Sequence, residues 1–276
     1  MPVRTPAPRM IARLALVLSL PLVAGALSAC TKLTEADVTP NRYGSVSIRA
    51  RNGAANQATA NATAIFFEAI QANLPASVDN RGDQCVFAQL DTNAQFTTGL
   101  NQAGAQVTLN YGTSSVVLPY ETSNKRYANP ETSPFTYASG DIMTVTVPGD
   151  ANTFPASTIS VPLAQPIIPG VISVPTGTAP MVFTWNASAD TTTSIILSLR
   201  YANPANSTYA NEQIYCALRD DGTHQIATSA LAAFLASPNS KRSLVMTRWR
   251  TRVANLGNLA YLHVASSIDT TVTFQP

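Results

Sequence analysis

Short runs in which apolar and polar residues alternate with a period of two recur from residue 44 onward, each closed by Gly, Asn, Asp or Pro. That period sends successive side chains to opposite faces of an extended strand, so each run can bury one face and wet the other. The pattern predicts strands over 44–51, 63–70, 85–90, 105–111, 115–120 and 141–148 in the first half of the chain. In the second half it predicts them over 181–186, 194–201, 213–218, 223–226, 244–253, 260–265 and 270–274. Many short strands at such spacing describe an all-β chain built of β-sandwiches.

One segment, NATAIFFEAIQANL over 61–74, is ambiguous. Its alanines favour helix while Thr63, Ile65, Phe66 and Phe67 favour strand, and the strand reading is adopted. Prolines crowd 148–180, where they exclude helix interiors and central strands alike. A boundary near Gln165 therefore divides two expected sandwich domains, 42–165 and 166–276. Ser229 is placed to cap a short helix running through Leu235 and stopped by Pro238. The run Arg219-Asp220-Asp221-Gly222 supplies the Asp-Gly pair of a tight hairpin turn.

Ahead of this body stands a different kind of sequence. Residues 1–13 carry Arg4, Arg9 and Arg13 and no acid, and 14–27 form an uncharged apolar run interrupted by Pro21. A transmembrane helix needs roughly 20 apolar residues, so the run fits a cleaved signal peptide over 1–29 better than a span. It ends in Leu27-Ser28-Ala29-Cys30, which resembles the bacterial lipobox. The resemblance implies that signal peptidase reads Leu27, Ser28 and Ala29, the last two being small enough for close backbone contact. It implies a diacylglyceryl group on the Cys30 sulfur and a further acyl chain on the new amine. Two or three chains, at about 0.8 kcal/mol per buried methylene, hold a protein on a membrane where one does not. The polar stretch 30–41 then reads as a lipidated tether. Thr31, in place of an aspartate, implies transfer to the outer membrane of the cell envelope. The plainer alternative is a secretory signal in which Cys30 is a bystander.

A second resemblance lies in APMVFTWNASADTTTSIILSLRY, which is similar to the opening of an immunoglobulin-like or fibronectin type III sandwich with Trp185 in its core. The stretch 166–276, with its hairpin from Cys216 to Ile226, is similar to domains of uncharacterised bacterial surface lipoproteins. That implies a fold and an address but no reaction.

Charge and motif content narrow the function. Three of the 17 basic residues lie in the leader, which leaves 14 against 15 acids, a balance that offers phosphates no basic footprint. Nucleic acid is excluded on that ground, and nucleotides by the lack of a Gly-rich phosphate loop. His224 and His263 are the only histidines and no C-x-x-C pair exists, so no zinc site or other cofactor is expected. Asp220 and Asp221 lack the ladder and closing glutamate of a calcium loop, and no G-x-S-x-G, S-x-x-K or H-E-x-x-H marks a hydrolase. Cys85 and Cys216 are the remaining thiols. They can either pair in an oxidising compartment or stand as free buried cysteines. Arg248, Arg250 and Arg252 alternate in a strand-like run, placing three guanidiniums on one face and Trp249 on the other. Such a stripe can hold an anionic partner such as an envelope glycolipid, or lie solvated beside acids of neighbouring strands. The expectation is a non-enzymatic, membrane-anchored binding or structural module with an envelope protein or glycolipid as partner. The alternative is an extracytoplasmic hydrolase of glycan or ester substrates.

Overall fold

The computed structural model describes residues 41–53, 57–69, 82–89, 100–202, 212–272 and 274–275. The leader, with Leu27, Ser28, Ala29 and Cys30, lies outside them.

The first half supplies β1 (Asn41–Asn52), β2 (Gln57–Ala69), β3 (Gln84–Gln89), β4 (Leu100–Asn101), β5 (Gln106–Tyr111), β6 (Ser114–Glu121), β7 (Arg126–Ala128), β8 (Phe135–Ala138), β9 (Ile142–Val147) and β10 (Ser157–Pro162). The second supplies β11 (Ile172–Ser173), β12 (Met181–Thr184), β13 (Ser194–Tyr201), β14 (Glu212–Arg219), β15 (Thr223–Ile226), β16 (Ser243–Asn255), β17 (Ala260–Val272) and β18 (Phe274–Gln275). Among the described residues a single short α-helix, α1 (Ala232–Ala236), follows a 3-10 turn. The chain is all-β, as its alternation predicts.

Most strands join one mixed sheet in the order β10-β9-β5-β6-β7-β2-β1-β17-β16-β13-β14-β3, with β4 and β8 sharing the β2 edge beside β7. Two small sheets, β11-β18 and β12-β15, complete the set among the described residues. The expected boundary near Gln165 is corrected here. β1 from the first half pairs in parallel with β17 from the second, and β14 pairs with β3. Residues from Pro40 onward form one compact unit with one continuous core, so the prolines of 148–180 do not separate two folding bodies. Instead they confine β10 to the sheet edge and end it at Pro162, since proline cannot donate to a ladder.

The core forms on the sheet face that carries Val46, Ile48 and Ala50 of β1, Leu262, Val264 and Ile268 of β17, and Ile195, Leu197 and Leu199 of β13. On β2 the buried positions are Ala58, Ala60, Ala62 and Ala64, alternating with half-buried Thr59, Asn61, Thr63 and Ile65. The ambiguous segment is thus strand through Ala69, because period-two burial outweighs the helical preference of alanine. Where β7 has ended and β8 not begun, Asn129 completes the ladder. Its Oδ1 accepts the Ala62 N–H at 2.6 Å while its amide donates to Asn61 and Ser133.

At the other end of the core Phe66 packs against Phe154 at 4.7 Å and edge-on to Tyr127 at 5.5 Å. A Cβ on Gly44 would come within 2.9 Å of Phe66, Leu262 and Phe154, so only glycine admits this aromatic layer.

Two local expectations also change. The strands expected over 260–265 and 270–274 are joined, since β17 runs unbroken to Val272. Ser229 makes no cap, because α1 begins after Leu231 without a side-chain cap bond and is held by burial of Leu231 and Phe234 instead.

Candidate functional site

The most polar place inside this core lies under the β14–β15 turn. Gly222 takes φ of +96° there, letting the chain reverse tightly enough that Asp220 points inward. Asp220 accepts from Trp185 Nε1 at 2.9 Å, Thr193 Oγ1 at 2.7 Å and the Ser188 N–H at 3.4 Å. It also accepts from Arg248, with Nε at 2.7 Å and Nη2 at 3.1 Å.

Arg248 is 0 % exposed. Its Nη1 donates to the carbonyls of Pro166 at 2.7 Å and Gln165 at 3.3 Å, and its Nη2 to that of Asn186. A guanidinium has five N–H groups, and these bonds employ all of its nitrogens. The ion pair ties four otherwise separate pieces together: β16, the β14–β15 turn, the proline-rich strand-to-strand connection at 165–166, and the loop after β12.

The predicted alternation around Trp249 holds, but the arginine stripe is not an open anion-binding surface. Leu244, Met246, Arg248 and Arg250 share the buried face of β16. Arg250 is 4 % exposed and ion-paired with Asp190, and burial lowers its pKa. Arg252, at the exposed end, donates to the Ser160 carbonyl of β10. Each guanidinium is directed at a group of the protein's own chain. The signal in the sequence was parity: the arginines stand an even number of positions from Leu244 and Met246 and so on the same face. What the parity could not show is that Asp220 and three carbonyls wait there.

Cys85 and Cys216 face each other directly across the β14–β3 pair and are joined by a disulfide. The bridge fastens edge strand β3 to its neighbour within one sheet. Beside it Arg219 donates to both oxygens of Asp83, holding that carboxyl below the usual carboxylate range.

The histidines are scattered. His224 sits on β15 opposite Phe183, and burial lowers its pKa against the opposing pull of Asp83 and Asp221. His263 on β17 is 6 % exposed, its Nε2 has no hydrogen-bond partner, and burial lowers its pKa as well. An unfolded histidine titrates near 6.5, so on acidification the unfolded chain takes up protons before the folded one does. The contribution of the two histidines is therefore level above about pH 6.5 and declines as pH falls from there toward the lowered folded values. The unfolding midpoint is expected to drop between pH 7 and pH 5, and His263→Leu to flatten part of that drop. An unchanged slope in this variant would assign the whole dependence elsewhere.

Among the described residues no group of three or more His, Cys, Asp and Glu side chains is placed to hold a metal. None of the described helices is long and apolar enough to cross a membrane. No protein-family model matches the chain, and no curated protein matches it. The class that fold and site define is thus an all-β protein with an internally paired polar node.

Proposed function

We propose that the chain is a lipid-anchored protein of the bacterial cell envelope, held at the outer membrane, whose β body serves as a non-enzymatic binding or structural module. The observation that carries this reading is the quartet Leu27-Ser28-Ala29-Cys30 at the end of an arginine-led apolar run. The sandwich-like character of the body is supported by Trp185, which lies in the core and donates to Asp220. The non-enzymatic part is supported by the way Asp220 and Arg248 are used up in bonds to each other and to the chain, and Asp190 is engaged by Arg250.

Metabolic labelling with a fatty acid tests the anchor. The natively produced protein is expected to take up label and to sediment with membranes, and Cys30→Ala to do neither. An unlabelled wild type, or label that survives Cys30→Ala, overturns the reading.

A further inference from the structure

We propose that the β16–β17 hairpin tip, with Tyr261 beside it, is a second membrane contact: the body rests this end on the same lipid surface that holds Cys30. The inference rests on the anchoring reading above. Its first ground is where the tether enters. Residues 31–40 span at most about 36 Å when fully extended, and they feed into β1 at Asn41. β1 and β17 run parallel, so both strands start at this end of the sheet. The Arg42 N–H donates to the Leu259 carbonyl at 2.8 Å and Arg42 Nη2 to the Asn258 carbonyl at 3.1 Å. The hairpin tip is therefore bonded directly to the strand that the tether leads into.

The second ground is the tip itself. The loop is closed by the Leu256 N–H on the Ala260 carbonyl and the Ala260 N–H on the Gly257 carbonyl, both at 2.9 Å. Gly257, Asn258 and Leu259 have φ of 77°, 48° and 58°. Glycine and asparagine tolerate this left-handed region; leucine does not, because its Cβ crowds the backbone. Leu259 nevertheless stands there with 45 % of its surface exposed. The turn would form more readily with glycine, so the fold does not account for a branched apolar side chain held outward at this point.

The third ground is what lies behind the tip. Phe67, Tyr43 and Tyr261 form one row across β2, β1 and β17, with ring centroids 5.4 and 5.7 Å apart. Tyr261 follows Leu259 by two residues, at the start of β17. Tyr43 is buried at the middle of the row and backs the half-buried rings of Phe67 and Tyr261. A tyrosine such as Tyr261 suits the headgroup level of a bilayer, and an aliphatic side chain beyond it suits the acyl boundary. Arg42 stands opposite Glu68, so charge at this end is balanced and the occupant it fits is a phospholipid surface, not a polyanion.

The test uses full-length acylated protein in vesicles of phosphatidylethanolamine and phosphatidylglycerol, with an environment-sensitive fluorophore on Leu259→Cys. Cys85 and Cys216 are bonded to each other, and Cys30 is blocked by its acyl group, so position 259 offers the one free thiol. Emission is expected to shift to the blue on reconstitution, to be quenched by lipids brominated on their acyl chains, and to ignore added salt. A probe on Thr271→Cys, an exposed position ten residues further along β17 from Tyr261 and so roughly 33 Å away, is expected to escape quenching. In acylated protein, no quenching at 259, or equal quenching at 271, overturns the hairpin contact and leaves the anchor standing. A protein that carries no acyl group ends both readings. Leu259→Gly is expected to raise the unfolding midpoint; a lowered midpoint would show that Leu259 serves the fold and would likewise overturn the contact.

Discussion

Asp220→Ala is expected to lower the free energy of unfolding by about 3–5 kcal/mol, the range for removing one partner of a buried ion pair. The size follows from what stays behind. Arg248 would remain in the core with no acceptor for its Nε and one fewer for its Nη2, and Trp185 Nε1 would be deprived of its acceptor as well, while Thr193 Oγ1 would keep only the Asp190 carbonyl. A buried charge without its counter-charge is the expensive part; the missing hydrogen bonds add to it. For the same reason the double variant Asp220→Leu with Arg248→Met is expected to lose less than the sum of the two single variants, since no unpaired charge remains. Denaturant titrations of the four proteins measure this. Additive losses would show that the two side chains act independently, and a loss below about 1 kcal/mol for Asp220→Ala would show the node to be open to water.

Removing the disulfide is expected to have the next largest effect. Cys85 and Cys216 are 131 positions apart, and cross-linking so long a loop restricts the unfolded chain strongly. Chain-entropy arguments put the stabilisation at up to about 5 kcal/mol, with 2–5 kcal/mol typical for loss of a native bridge in a small exported domain. Cys85→Ser is the informative variant, because Cys85 is the half-buried partner at the sheet edge and Cys216 is fully buried. Beyond that shared loss β3 should suffer most, because its described neighbour in the sheet is β14 and the Arg219–Asp83 pair alone is too exposed to hold that strand. Hydrogen exchange should then show β3 opening well below the free energy at which β1, β16 and β17 open, on top of the fall in protection that the whole sheet shares. Protection falling by one equal amount everywhere, β3 included, would mean that the bridge acts only through the unfolded chain.

Much of the strand inventory was readable because it depends on local alternation alone. β13 and β15 fall at their predicted residues, and β1, β5, β6, β9 and β14 within two or three of them. β7 and β8 were not readable: at three and four residues they are too short to show a period, and they exist because β2 offers them an edge. β10 was hidden by prolines that forbid a central strand but permit an edge one. The boundary at Gln165 failed because proline content reports where a chain cannot continue a strand. It does not report whether the strands on either side will pair with each other.

The candidate site divides in the same way. That Arg248, Arg250 and Arg252 share a face follows from a two-residue period, and so did the opposite placement of Trp249. Which face turns inward depends on Asp220, 28 residues away, and on carbonyls of Gln165 and Pro166 more than 80 residues away. The pairing of Cys85 with Cys216 likewise needed β3 to lie against β14, a neighbour from the far half of the chain.

By itself the sequence determined that this chain is built of strands, where most of them lie, and that a lipobox-like quartet precedes them. Those properties are written in nearest-neighbour patterns: side-chain alternation, turn residues and a short motif. The tertiary structure alone decided that both halves share one sheet, that two cysteines meet, and that arginines are buried and paired. Those are encounters between segments distant along the chain, set by which strand edges and charges come together when the apolar faces close, and no local pattern specifies them.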